Sequence, residues 1–154
     1  MAAATGSSWW RLWFRAVYHL IRLLDPLIRR WWAARLPGLE RIVDLHLVGR
    51  RTGRSRHILV TLLTVDGQWY VGHPNGDAGW THNLASARDP RPRLSFADGG
   101  SVSVTAARLP TGSERDAVIR ATWSQQPFPA NLMYRLARRH TAAVGVYFRL
   151  LPSS

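Results

Sequence analysis

The dipeptide Asp66-Gly67 constrains this chain more than any other feature. It separates the run His57–Val65, rich in β-branched and aliphatic residues, from a second run, Gln68–His73. Asp-Gly tolerates the positive backbone angles of a two-residue hairpin turn, so the two runs are expected to pair antiparallel. A second hairpin is expected about Asp98-Gly99-Gly100, between Pro92–Phe96 and Ser101–Ala107. Upstream, from Arg41, the residues Val43, Leu45 and Leu47 alternate with Asp44 and His46 at the period of a strand. Val144–Leu151 closes the chain as an apolar strand. About six mainly antiparallel strands with interleaved helices place the chain in the α+β class, with a sheet or barrel.

The helices are marked by punctuation. Trp9–Asp25 is expected to be helical, with Arg11, Arg15, Tyr18, His19 and Arg22 forming one polar stripe. Asp25-Pro26 interrupts it, and a shorter helix follows over Leu27–Arg35 until Leu36-Pro37-Gly38. Trp80–Ala87 and Asn131–Arg139 read as short helices, and another begins near Ser113, whose hydroxyl with Asp116 resembles a capping box. At 154 residues the chain is one domain by length. It divides into an amphipathic helical segment, 1–40, and a strand-rich unit, 41–152.

All 21 basic residues are arginine, and the net charge is +12. Codon bias explains the missing lysine, but not the excess of positive charge, which points to an anionic partner. The absence of cysteine excludes disulfides and thiolate chemistry. No two of the six histidines pair at metal spacing on one helix, and no metal site is expected; His46 and His57 read as strand-face residues. The aromatic residues gather in the N-terminal helices instead of alternating with arginine on one sheet, which argues against nucleic acid. The apolar stretch Trp9–Leu24 is broken by Arg11, Arg15 and Arg22, unlike a spanning helix or a secretory signal. Its tryptophans and arginines suit either an anionic membrane surface or packing against the barrel or a second copy. The expected location is cytoplasmic, including the inner face of the plasma membrane.

Two constellations carry the candidate chemistry. Gly49-Arg50-Arg51-Thr52-Gly53-Arg54-Ser55-Arg56 packs four arginines, two hydroxyls and two glycines into one connection between strands. It reads as a solvated hairpin or as a grip on phosphate or carboxylate. His73-Pro74-Asn75-Gly76-Asp77-Ala78-Gly79 runs into Trp80-Thr81-His82-Asn83-Leu84, where a glycine-bearing loop meets a helix start. It reads as a plain strand-to-helix loop with a core tryptophan, or as an anion site with an indole over a planar ring.

Taken together, G-R-R-T-G-x-x-R, strand, hairpin, strand, glycine loop and W-x-x-N-L resemble the deazaflavin (coenzyme F-420)-dependent nitroreductase and quinone reductase family. The resemblance runs from about Leu45 to Phe96 and resumes in the C-terminal strand. It implies a split β-barrel that transfers a hydride from the reduced coenzyme to a quinone or nitro compound, with FMN as the lesser alternative. By that resemblance Arg50, Arg51, Arg54 and Arg56, with Thr52, would lie along the acidic tail. Asn75, Gly76, Trp80 and Asn83 would hold the phosphate and ribityl end. Tyr134 and Tyr147 are the late tyrosines available for a substrate wall, and His73 and His82 are candidate proton donors. Asp77 and Thr81 depart from the family pattern. Two other functions stand beside this one: a non-redox split barrel holding a lipid or other anionic amphiphile, and a basic nucleic-acid module. A homodimer is compatible with each.

Overall fold

The computed structural model describes residues 7–153. The chain opens with helices α1 (Ser8–Leu23) and α2 (Asp25–Ala33). Strands β1 (Ile42–Val48), β2 (Ser55–Thr61), β3 (Leu63–Val65) and β4 (Gln68–His73) follow, then helix α3 (Gly79–Ser86). After these come β5 (Arg93–Ser95), β6 (Ser101–Arg108), α4 (Ser113–Gln125), α5 (Ala130–Leu136), α6 (Arg138–Val144) and β7 (Val146–Ser153).

The expected run His57–Val65 is therefore two strands. Among the described residues there are seven strands, where about six were expected, in one antiparallel sheet of order β2-β1-β5-β6-β7-β4-β3. β2 and β3 are the two outermost strands, yet only Leu62 lies between them. In a flat sheet they would stand roughly 29 Å apart, six inter-strand spacings, while one residue reaches ~3.4 Å. The sheet has to roll up until its edges meet. Leu62 secures that corner: its backbone N–H donates to the Arg41 carbonyl (2.8 Å) and its side chain is buried.

Alternation sorts side chains between the inside and outside of the roll. Val43, Leu45 and Leu47 of β1, Val71 of β4, Leu94 of β5, Val104 of β6, and Phe148 and Leu150 of β7 fill the interior. Trp80 and Leu84 of α3 join the same core. On the outer face Leu63, Tyr70 and Tyr147 meet Val118 and Ile119 of α4. Helix α4 also covers the exposed edge of β3. The Gln125 side-chain amide accepts from Thr64 N–H (2.8 Å) and donates to Thr64 C=O (2.7 Å), as a neighbouring strand would.

Two local expectations are corrected. Ser113 is the first helical residue and not the cap of α4; Gly112 holds that position, with no side-chain cap. Glu114 and Asp116 stabilise the first turn through the helix dipole. Asn131–Arg139 is two short helices, α5 and α6, meeting at Ala137. Arg115, almost fully buried, donates to the carbonyls of Ala142 (3.0 Å) and Gly145 (2.7 Å), so the C-terminal end of α6 is satisfied by a cation.

Gly72 of β4 pairs with Tyr147 of β7, and the Tyr147 ring lies where any Cβ on Gly72 would stand. Both sit in rigid, paired strands. Gly72→Ala is expected to lower stability by about 1–3 kcal/mol through overpacking. The midpoint of urea unfolding, followed by circular dichroism, measures it.

Candidate functional site

The connection after β1 is a tight, internally bonded loop. Gly49 N–H donates to Arg54 C=O (2.8 Å), and Gly53 N–H donates to Gly49 C=O (2.9 Å). Gly53 takes a positive φ of 65°, and Gly49 has the Thr52 hydroxyl where a Cβ would be. The Asn83 side-chain oxygen of α3 accepts from both Arg50 N–H (3.1 Å) and the Arg50 guanidinium (3.4 Å). The two constellations singled out in the sequence are therefore joined by one amide.

They share a cleft of about 800 Å³. Gly49, Arg50, Arg51 and Thr52 form one side, with Arg56, His57 and Ile58 of β2 beside them. Ala78, Gly79, Trp80 and Asn83 form the end at the start of α3. The opposite wall comes from the N-terminal helices: Tyr18, Ile21 and Arg22 of α1, and Asp25, Pro26 and Ile28 of α2. Arg22, Arg50, Arg51 and Arg56 make the cleft cationic. Its carboxylate, Asp25, is engaged by Arg29 (2.7 Å). Trp80 is a buried core residue that also lines the cleft.

Of the residues expected at the site, Arg50, Arg51, Thr52, Arg56, Trp80 and Asn83 converge on this cleft. The others lie elsewhere. Arg54 is exposed and is not part of the lining. Tyr147 is fully buried under α4, and Tyr134 packs edge-on against Phe14, so neither forms a cleft wall. Burial raises the pKa of both phenols. His82 is exposed on the other side of α3, and His73 lies beneath Tyr18 and Trp80 without reaching the lining. Asp77, the departure from the family pattern, turns away to a two-pronged pair with Arg108 (3.0 and 3.4 Å). Thr81 has a local role: its hydroxyl accepts from Ala78 N–H (2.8 Å) and fastens the start of α3.

Asn75 and Gly76 serve α1 and not the cleft. The Asn75 side chain donates to Arg11 C=O (3.3 Å) and lies 2.9 Å from His140 Nε2. His140 stacks on Phe14, the one buried residue of α1. His73 Nδ1 is 3.1 Å from Gly76 C=O, and its ring meets Tyr18 edge-on. The seat of α1 thus contains two shielded imidazoles. Burial lowers the pKa of both, and for His140 the Arg11 charge adds to the effect. Sequence reasoning missed Tyr18, Arg22 and Asp25 because nothing local marks a helix as reaching back over the barrel mouth.

No protein-family model and no curated protein sequence matches the chain. Solved structures do. One is an F-420-H2-dependent reductase, FDR-A, with 17% identity and a TM-score of 0.52 over 71% of this chain and 93% of that one. Another is HutZ, the heme storage protein from Vibrio cholerae, with 15% identity and a TM-score of 0.55 over 85% and 91%. A third, described as a domain-swapped dimer, shares 15% identity with a TM-score of 0.53 over 88% and 99%. The fold is a split β-barrel. At these identities the likeness carries the architecture and leaves the chemistry to the residues of the cleft.

The two seat histidines set a pH dependence. In the unfolded chain each takes up a proton near its ordinary value of 6.5, whereas the folded state holds the neutral form to lower pH. Below 6.5 the unfolded state therefore binds more protons, and stability falls as the pH drops through the lowered folded values. Thermal unfolding is expected to shift down between neutral pH and pH ~5. His140→Gln should flatten that slope; an unchanged slope would remove His140 from the account.

Proposed function

We propose that the chain is an oxidoreductase that holds a deazaflavin coenzyme in this cleft and passes a hydride to a quinone or nitro-type acceptor. One observation carries the reading: four guanidinium groups and an indole line a single cleft at the mouth of a split barrel. The donor set fits a flavin-like ring with a long acidic tail. Arg50, Arg51, Arg56 and Arg22 offer charge-assisted bonds to phosphate and carboxylate oxygens. Gly79 presents backbone at a helix start with nothing in the way of close approach. The cleft volume lies within the range of small-molecule sites, roughly 300–1,000 Å³.

Bound there, the reduced coenzyme would supply the hydride, so no side-chain nucleophile is needed. The chain's own residues bind, orient and exclude water. Trp80 and Ile58 give the cleft an apolar floor, and Ile21 and Ile28 cover it from the helical side. Tyr18 is a proton-bearing group that lines the cleft, and burial raises its pKa, so its phenol stays protonated at neutral pH. It replaces His73 and His82 as the candidate donor.

Titrating the protein with oxidised coenzyme and following fluorescence quenching tests the proposal. Saturable binding that weakens with added salt is expected. Arg50→Ala, Arg51→Ala and Arg56→Ala should each weaken it by about tenfold. Arg54→Ala, outside the cleft, should leave it unchanged. Equal losses in all four variants would mean that bulk charge, not the cleft, attracts the ligand.

The exposed face of α1 and α2 supports a second element of the proposal, placement at the cytoplasmic face of an anionic membrane. Trp9 and Leu12 are each 64% exposed and Leu23 is 79% exposed, alongside the exposed Arg15 and Arg30. No helix among the described residues is long and apolar enough to cross a membrane. Such a face suits shallow burial at the headgroup boundary, with arginine against anionic lipid. It also fits the second reading, a non-redox barrel for an anionic amphiphile, which failure of the coenzyme titration would favour. Trp9→Ala with Leu23→Ala is expected to reduce co-sedimentation with phosphatidylserine vesicles. If that double variant instead turns a homodimer into a monomer without affecting vesicles, the face is a subunit seam.

A further inference from the structure

Asp44 and His46 alternate with the interior residues of β1, so both point to the outer face of the barrel. His57 of β2 stands directly opposite His46 in the strand register. The two rings lie 3.9 Å apart, centroid to centroid, tilted by 52°. Asp44 Oδ2 is 3.3 Å from His57 Nδ1 and 3.6 Å from His46 Nε2. One atom from each of the three side chains lies within 4.8 Å of the other two. Asp44 is itself buried, only 7% exposed, and its second oxygen, Oδ1, has no hydrogen-bond partner among the described residues.

A tetrahedral ion with ligands at about 2.1 Å keeps its ligand atoms about 3.4 Å apart. The two distances from Asp44 match that spacing. Two imidazole nitrogens and one carboxylate oxygen are a donor set suited to zinc and its neighbours in the first transition row, and unsuited to magnesium or calcium. The surroundings of His57 match a bound imidazole, while His46 Nε2 also contacts the Ser95 hydroxyl (3.1 Å), a contact that the ion would replace. The far nitrogen of His57, Nε2, lies 3.5 Å from the Ser55 hydroxyl, which would fix the ring orientation. Both imidazoles are partly exposed, so an ion can enter from solvent.

We propose that Asp44, His46 and His57 form a three-ligand site for a divalent transition metal of the zinc class, with a fourth position open to water. The proposal does not rest on the coenzyme reading, although His57 also lines the cleft and so borders both sites. A competing cation is built in. Arg29 of α2 donates to the same Asp44 oxygen (3.0 Å), and Arg93 lies close enough to act on His46 through its charge. The metal therefore shares Asp44 with Arg29 or displaces it, and removing the Arg29 charge strengthens metal binding.

The test uses the untagged full chain and Co²⁺ as the probe near neutral pH, followed by its visible ligand-field absorption. One equivalent is expected to bind with the intense band of a four-coordinate ion, and Zn²⁺ is expected to bleach it. His57→Gln, at an exposed strand position, and His46→Gln should each weaken binding by about tenfold or more. Arg29→Gln should tighten it. Circular dichroism confirms that each variant is folded, and His57→Gln alone decides the matter if His46→Gln is not. Absence of a stoichiometric Co²⁺ complex, or a complex unchanged by His57→Gln, overturns the proposal.

Discussion

Leu62 is the whole covalent link between the outermost strands of the sheet. Because those strands cannot be adjacent in a flat sheet, the link converts seven ordinary antiparallel strands into a rolled one, and the rest follows. The roll gives β1 an inner face, where Val43, Leu45 and Leu47 bury, and an outer face, where Asp44 and His46 stand. It brings the arginine connection after β1 to the start of α3, so that Arg50 and Asn83 meet although 33 residues separate them. The sheet's remaining open edge at β3 is covered by the Gln125 amide, which leaves less unpaired backbone for a second chain to add to.

The N-terminal helices complete the mouth of this barrel. They are held at several points of different chemistry. Phe14 inserts against His140 and Tyr134, and the Trp13 indole meets Met133 Sδ (2.9 Å). The Trp32 indole donates to Ile42 C=O (2.7 Å), and Arg29 bridges Asp25 and Asp44. The cleft wall formed by Tyr18, Arg22 and Ile28 is thus set by contacts outside the cleft. What the helices keep exposed is as informative as what they bury: tryptophan and leucine face outward in numbers that the barrel alone does not require.

Much of the architecture was legible in the sequence because hairpin turns and period-two alternation are local signals. Asp66-Gly67 and Asp98-Gly99-Gly100 marked both tight turns, and the alternation about Leu45 sorted inside from outside. The corner at Leu62 was not legible. Val60, Leu62 and Leu63 are all buried, and no glycine or proline marks the change of direction. At the site, the arginine loop, Trp80 and Asn83 could be placed together only through the family resemblance that their motifs carry. The role of α1 could not, since its docking is decided by Phe14 packing against Tyr134 and His140, 120 and 126 positions later. Tyr147 misled for a related reason. The last strand buries adjacent residues on opposite faces, Tyr147 under α4 and Phe148 in the barrel interior, so alternation does not say which side chains are free. Asn75 looked like a loop residue awaiting a ligand, but its amide was already taken by His140 and Arg11.

The double acceptance at Asn83 has a consequence for how the arginine loop meets any anion. One side-chain oxygen holds both the backbone and the guanidinium of Arg50, while Gly49 and Gly53 close the loop on itself. The loop therefore has little conformational freedom left to lose when a negative group arrives. An anion bound there would meet a preorganised loop, and selectivity among anions would fall to shape and reach instead of to backbone rearrangement.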